Sequence, residues 1–213
     1  MSARELVRER WDEVARRHGC EPAAARKVLD ELAAAYADPH RAYHTLEHIA
    51  VLLRLLEEHG DRAADHDALV LAILFHDAVY DPARADNEAA SAELAAARLT
   101  GLGVPQATVA KAARFIRATQ HGADPGGGEE SDLALILDLD LSVLAASPDA
   151  YRAYAQAIRR EYAHYPEETY RQGRRRVLEA FLARERIYRT EHLHAVWEAR
   201  ARENLAREIA DLG

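Results

Sequence analysis

The chain has 213 residues and carries 28 Lys and Arg against 36 Asp and Glu, a net charge of −8. That balance lacks the basic footprint that grips a phosphate backbone and argues against a nucleic-acid scaffold as partner. The single cysteine, Cys20, excludes an internal disulfide framework. The longest apolar run is Ala68 to Phe75, far short of the ~20 residues that span a bilayer.

The opening MSARELVRER has no apolar signal segment, so a cytoplasmic protein without a membrane partner is expected. Alanine supplies 45 of the 213 residues, and with Leu, Glu and Arg it fills the chain with strong helix formers. Ser2 and Glu5 form a capping-box pattern that opens a helix from about residue 3 to His18, with Gly19 ending it. Pro22 starts a second helix, in which Val28, Leu29, Leu32 and Tyr36 recur at helical spacing until Asp38-Pro39. A third is predicted over Tyr43 to His59, before Gly60, and a fourth over Asp65 to Val79, apolar nearly all round and therefore central.

The pattern restarts at Asp86 and stops at Gly101, and Pro105 opens a helix to about Gln120. His121 to Ser131 contains GADPGGGEES, the strongest loop signal in the chain. An apolar helix with inserted carboxylates follows at ILDLDLS. Ser147-Pro148 starts a helix to about His164, Pro166 one to Tyr188, and Thr190 caps a last one to Leu212. No strand-like alternation appears. The expected architecture is a single all-α domain over residues 1–213, a bundle of about nine or ten helices.

Three places in this helical frame carry chemistry. In YHTLEH, His44 and His48 stand four apart, so on one helix both imidazoles leave the same face, a spacing for two ligands or for one ligand and a proton donor. In ILFHD, His76 and Asp77 end the most apolar helix, where burying both is costly unless they are paired or metal-bound. In LDLDLS, Asp138 and Asp140 are two apart and lie on opposite sides of a helix, so at most one faces a given site and the other is solvated or capping.

Taken together, His48, His76-Asp77 and Asp140, separated by 28 and 63 residues, resemble the HD superfamily of metal-dependent phosphohydrolases, an α-helical family defined by a His, a later His-Asp pair and a distant Asp. YHTLEH is similar to the Y-H-N-x-x-H motif of the cyclic-nucleotide phosphodiesterases of that superfamily, with Thr45 replacing the Asn. YHTLEHI, FHDAVYD, DNEAASA, DLDLS, REY, GRRRVL and ARENL look like a subgroup of HD phosphohydrolases of about this length. The resemblance covers about Trp11 to Leu212.

It implies His48, His76, Asp77 and Asp140 as metal ligands, with Asp140 favoured over Asp138. It further implies His44 as proton donor and Asp77 as the carboxylate without which activity is lost. The ligand types suit Mn, Fe, Co, Ni or Zn, and Mg less well, and an open site of this kind lowers the pKa of a bound water. Glu47 is a candidate for orienting a histidine. His121 and Glu88 are candidates for a second metal or a phosphate contact. Arg159 and Arg174, from the basic concentration at residues 159–176, and Tyr80 are candidate substrate contacts. The expected activity is hydrolysis of a small phosphorylated compound, with a nucleotide as one candidate. The alternatives are a di-iron oxygenase on the same fold and a non-catalytic nucleotide-binding module. A homodimer is a candidate assembly.

Overall fold

The structure is a computed structural model that describes residues 1–61, 63–120 and 131–213. Among them there are ten α-helices and no strand: α1 (Ala3–Arg17), α2 (Pro22–Ala35), α3 (Leu46–His59), α4 (His66–Phe75), α5 (Asn87–Gly101), α6 (Gln106–Ala118), α7 (Ser131–Asp140), α8 (Pro148–Glu161), α9 (Glu167–Leu182) and α10 (Glu191–Asp211). A 3-10 turn, Leu141–Ala145, follows α7 directly. The expected all-α bundle of nine or ten helices is what forms. The chain divides into two compact units, Met1–Ile136 and Leu137–Gly213, the division falling within α7. No described helix is long and apolar enough to cross a membrane.

In the first unit, α4 is the hub. All eight residues from Ala68 to Phe75 are buried, because α1, α3, α5 and α6 pack around them. Burying a helix on every side is favourable only when no face carries a charge, and this stretch carries none. Its neighbours bury one stripe each: Leu6, Val7, Trp11 and Val14 from α1, and Ile49, Leu52, Leu53 and Leu56 from α3. The buried Trp11 indole donates to the Ala25 carbonyl at 3.1 Å and so ties α1 to α2. The start of α4 is fixed from afar by the fully buried Asp132 carboxylate, which accepts from the Ala64 and Asp65 amides, both at 2.8 Å.

In the second unit, α10 packs on α9 and on the 3-10 turn, and α8 packs on the same turn. The buried polar residues of α10 are all engaged. Asn204 donates to the Leu144 and Ala146 carbonyls, both at 2.9 Å, and Glu208 accepts a two-pronged pair from Arg174 at 2.7 and 3.0 Å and a bond from the Tyr151 hydroxyl. Asp138 is fully buried and accepts from the Arg189 amide, the Thr190 amide and the Thr190 hydroxyl at 2.6–2.7 Å. It therefore caps α10 from a distance, which is the capping half of the expectation; it is not solvated. Burial pushes its carboxyl up, and the bonds from Thr190 and Arg189 offset only part of that rise.

The caps were legible. Ser2 and Glu5 make a reciprocal capping box, Gly19 has φ +66°, a conformation that costs a residue with a Cβ, and the Ser147 side chain accepts from the Ala150 amide. Three helix limits differ from expectation: α9 ends at Leu182, not Tyr188, because the Arg184 amide turns back to the Phe181 carbonyl at 3.2 Å, and the other two lie in the first unit. α3 begins at Leu46, not Tyr43, because Thr45 is extended and its amide turns back to the Tyr43 carbonyl at 2.8 Å. α4 ends at Phe75, not Val79, because the Ala78 amide turns back to the Phe75 carbonyl at 3.0 Å. The changes in α3 and α4 fall on the residues with candidate chemistry, which leave regular helix just where they are needed.

Candidate metal centre

The site is built where the first turn of α3 meets the end of α4. His48, the third residue of α3, and His76, the cap residue of α4, are both buried, at 5% and 3% exposure. Asp77 follows in the turn and is half-buried. The His48 Nε2 and His76 Nε2 atoms are 3.3 Å apart. Asp77 Oδ2 lies 2.9 Å from His76 Nε2 and 3.8 Å from His48 Nε2.

These three atoms converge on one point. Around an ion with ligand bonds of ~2.1 Å, neighbouring ligand atoms are about 3.0 Å apart at a right angle and about 3.4 Å apart at a tetrahedral angle. Separations of 2.9, 3.3 and 3.8 Å bracket those values. Among the described residues, His48, His76 and Asp77 are the group whose ligand atoms are close enough to hold an ion.

The protonation states fit as well. His76 Nδ1 lies 2.9 Å from the Ile73 carbonyl, and a carbonyl only accepts, so Nδ1 carries the proton and Nε2 of the neutral ring presents a lone pair. Burial pushes the Asp77 carboxyl up, yet His76 and His44 in their protonated forms, and the bond that a protonated His76 donates from Nε2, outweigh it and hold the group well below the ordinary carboxylate range; an ion would take the place of that Nε2 proton. The C-terminal end of α4 adds the negative end of its dipole, which favours a cation there.

The turn that carries Asp77 is held on all sides. The Tyr36 hydroxyl donates to the Leu74 carbonyl at 3.0 Å. Arg41 donates to the Asp77 and Ala78 carbonyls at 2.6 and 3.1 Å, and to the His44 carbonyl at 3.2 Å. Ser91 exchanges bonds with both backbone groups of Val79, and Asn87 does the same with Asp81. The carbonyls that a helix end leaves without partners are thus taken up by side chains.

His44 stands beside this group, though not on the helix that carries His48, so the shared-face argument from their spacing fails. The turn brings them close all the same, with ring centroids 6.1 Å apart. The His44 ring packs on Tyr80 at 4.2 Å, and Tyr43 lies 5.1 Å from His44 and 4.8 Å from His48. Residues His44, His48, His76, Asp77 and Tyr80 are therefore gathered in one place. No family model, curated protein or solved structure matches this chain.

The remaining candidates lie as follows. Glu88 is half-buried in the first turn of α5, and Glu47 is exposed in the first turn of α3; at both places a carboxylate suits the helix dipole. His121 lies outside the described residues. Asp140 ends α7 and belongs to the second unit, where it is half-buried. In that unit Arg174 is tied to Glu208 and lies over the Tyr154 ring, while Arg159 donates to Glu167 and to the Tyr162 and Tyr165 carbonyls and covers Tyr170. Sequence reasoning did not find Arg41, Tyr36, Ser91 or Asn87. Each works on the backbone of a turn outside the standard capping positions, most of them far away in sequence, and such a contact leaves no spacing to read.

Proposed function

We propose that this protein is a metal-dependent phosphohydrolase of the HD type, acting in the cytoplasm on a small phosphorylated compound. The observation that carries this reading is the convergence of His48 Nε2, His76 Nε2 and Asp77 Oδ2, with mutual separations of 2.9 to 3.8 Å, at the buried end of α4. Two imidazoles and a carboxylate suit Mn, Fe, Co, Ni or Zn better than Mg. When bound with open positions, such an ion supplies a Lewis acid and a water acidified toward neutral pH.

The chain's own residues do the rest. His48 and His76 present lone pairs, and the bond from His76 Nδ1 to Ile73 keeps the second ring from rotating. His44 in its protonated form donates a proton to the departing oxygen of the phosphoester. Tyr80, packed on the His44 ring, limits the directions in which that proton is offered. Asp77 keeps its charge at neutral pH and balances the ion.

Phosphate release from a panel of nucleotides and phosphomonoesters, with Mn, Co or Zn supplied, tests the reading. Activity in the wild type that is lost in Asp77→Asn, with the melting temperature retained, is expected. The same panel with His44→Ala is expected to show metal retained and turnover lowered by ~100-fold or more, in keeping with loss of a general acid. Asp140→Ala in this assay tests the fourth position of the sequence pattern. A metal-loaded wild type that releases phosphate from no member of the panel would overturn the hydrolase assignment.

A further inference from the structure

We infer that Arg41 is a positioning residue for the metal centre: a clamp that fixes the turn carrying Asp77 against the turn carrying His44. The inference rests on the metal-centre reading above and adds to it a residue that donates its hydrogen bonds to backbone carbonyls of both turns.

The guanidinium sits at the junction of two loops that share no regular hydrogen-bond ladder. Its Nη1 donates to the His44 carbonyl at 3.2 Å and the Asp77 carbonyl at 2.6 Å, and its Nη2 donates to the Ala78 carbonyl at 3.1 Å. The same group lies 5.1 Å from the Tyr36 ring centroid and 5.4 Å from that of Tyr80. Tyr80 in turn packs on the His44 ring, and Tyr36 holds the Leu74 carbonyl. One cation therefore sets the spacing between both loops and touches the two rings that border them.

Its Nε is buried with no hydrogen-bond partner among the described residues. A surface arginine kept for charge would leave that N–H in water, since burying a donor without an acceptor is unfavourable. Here the head group is oriented by the three carbonyls and two rings instead. The planar fork holds its donors at fixed positions on two nitrogens, whereas a lysine ammonium gathers its three donors on one atom of a flexible stem and so retains the charge without that geometry. Three separate bonds to two loops make the ligand separation depend on Arg41, although the residue itself binds neither metal nor substrate.

The test is a cobalt(II) titration of the full-length protein, followed through the visible absorption of the bound ion, with Arg41→Lys and Arg41→Met beside the wild type. Asp132→Asn serves as a control for stability, because Asp132 anchors the opposite end of α4 at the Ala64 and Asp65 amides. Loss of a residue that orients metal ligands lowers metal affinity by ~10–100-fold. Both Arg41 variants are expected to lose affinity in that range and to show an altered absorption band while the control keeps the wild-type affinity and band. If Arg41→Met does not fold, Arg41→Lys decides. Variants that bind cobalt as the wild type does would overturn the clamp alone. Equal loss in the Asp132→Asn control would also overturn it, as the effect would then follow stability and not positioning. A wild type that binds no cobalt would overturn the metal-centre reading, and the clamp with it.

Discussion

Replacing Asp138 tests whether the two aspartates of LDLDLS are divided between structure and chemistry. The Asp138 carboxylate is fully buried and accepts three bonds of 2.6–2.7 Å from Arg189 and Thr190 at the start of α10. Asp138→Ala leaves three donors without acceptors, each costing about 1 kcal/mol or somewhat more, so the loss is about 3–4 kcal/mol. For a chain of this size, roughly 2–4 °C per kcal/mol gives a fall in Tm of about 6–16 °C. Asp138→Asn keeps one acceptor oxygen and nearly the same volume, and about half that loss is expected. Thermal melts followed by circular dichroism measure both. A Tm for Asp138→Ala within about 2 °C of the wild type would refute the capping role.

Three further outcomes follow from the packing and the charges. Glu198 accepts from the Ile187 and Tyr188 amides and from Arg202; burial pushes its carboxyl up, but these bonds outweigh that and hold it below its ordinary value of 4.5. A lowered pKa in the folded state means that the unfolded chain binds the proton more readily, so the contribution is present above 4.5 and is lost as pH falls below it. Urea midpoints should thus show a wild-type advantage over Glu198→Gln at about pH 7 that shrinks by about pH 3; an advantage constant with pH would contradict it. At Gly60 an added Cβ would collide with the Leu56 carbonyl oxygen, so Gly60→Ala should cost about 1–3 kcal/mol. Gly101, the last residue of α5, has open space around it, and Gly101→Ala should gain up to about 1 kcal/mol in the same urea titration; the reverse order of the two would count against this packing.

Much of the helical frame was legible because it is written in local chemistry. Ser2 with Glu5, and Ser147, bind amides within one turn of themselves, while Pro22 and Pro148 preset the backbone of a first turn, so their effect can be read from spacing. The apolar run of α4 announced a central helix for the same reason: burial on every side demands side chains without charge. The limits of α3 and α4 were not legible. Periodicity continues through His44 and through Val79, and what stops each helix is a turn whose carbonyls are taken by Arg41, with Ser91 holding Val79 from 12 residues away.

The site was legible in its ligand types and less so in its geometry. A His-Asp pair at the end of an apolar helix is a conspicuous cost, and the structure resolves it by turning both groups toward His48. The spacing of His44 and His48 suggested one helix face. Their proximity comes instead from the turn ahead of α3, and the two are neighbours for a reason that spacing did not reveal. The paired aspartates were divisible only as alternatives, since period alone does not say which side of α7 meets the start of α10, the helix that Asp138 caps.

The most direct measurement of the metal centre is the metal content per chain of the purified protein, by elemental mass spectrometry, beside a His76→Ala, Asp77→Ala double variant made the same way. The expected result is a transition-metal ion bound by the wild type and lost from the variant while the helical circular dichroism of the two agrees. No ion in the wild type, even after reconstitution with Mn, Fe, Co, Ni and Zn in turn, would contradict the metal centre.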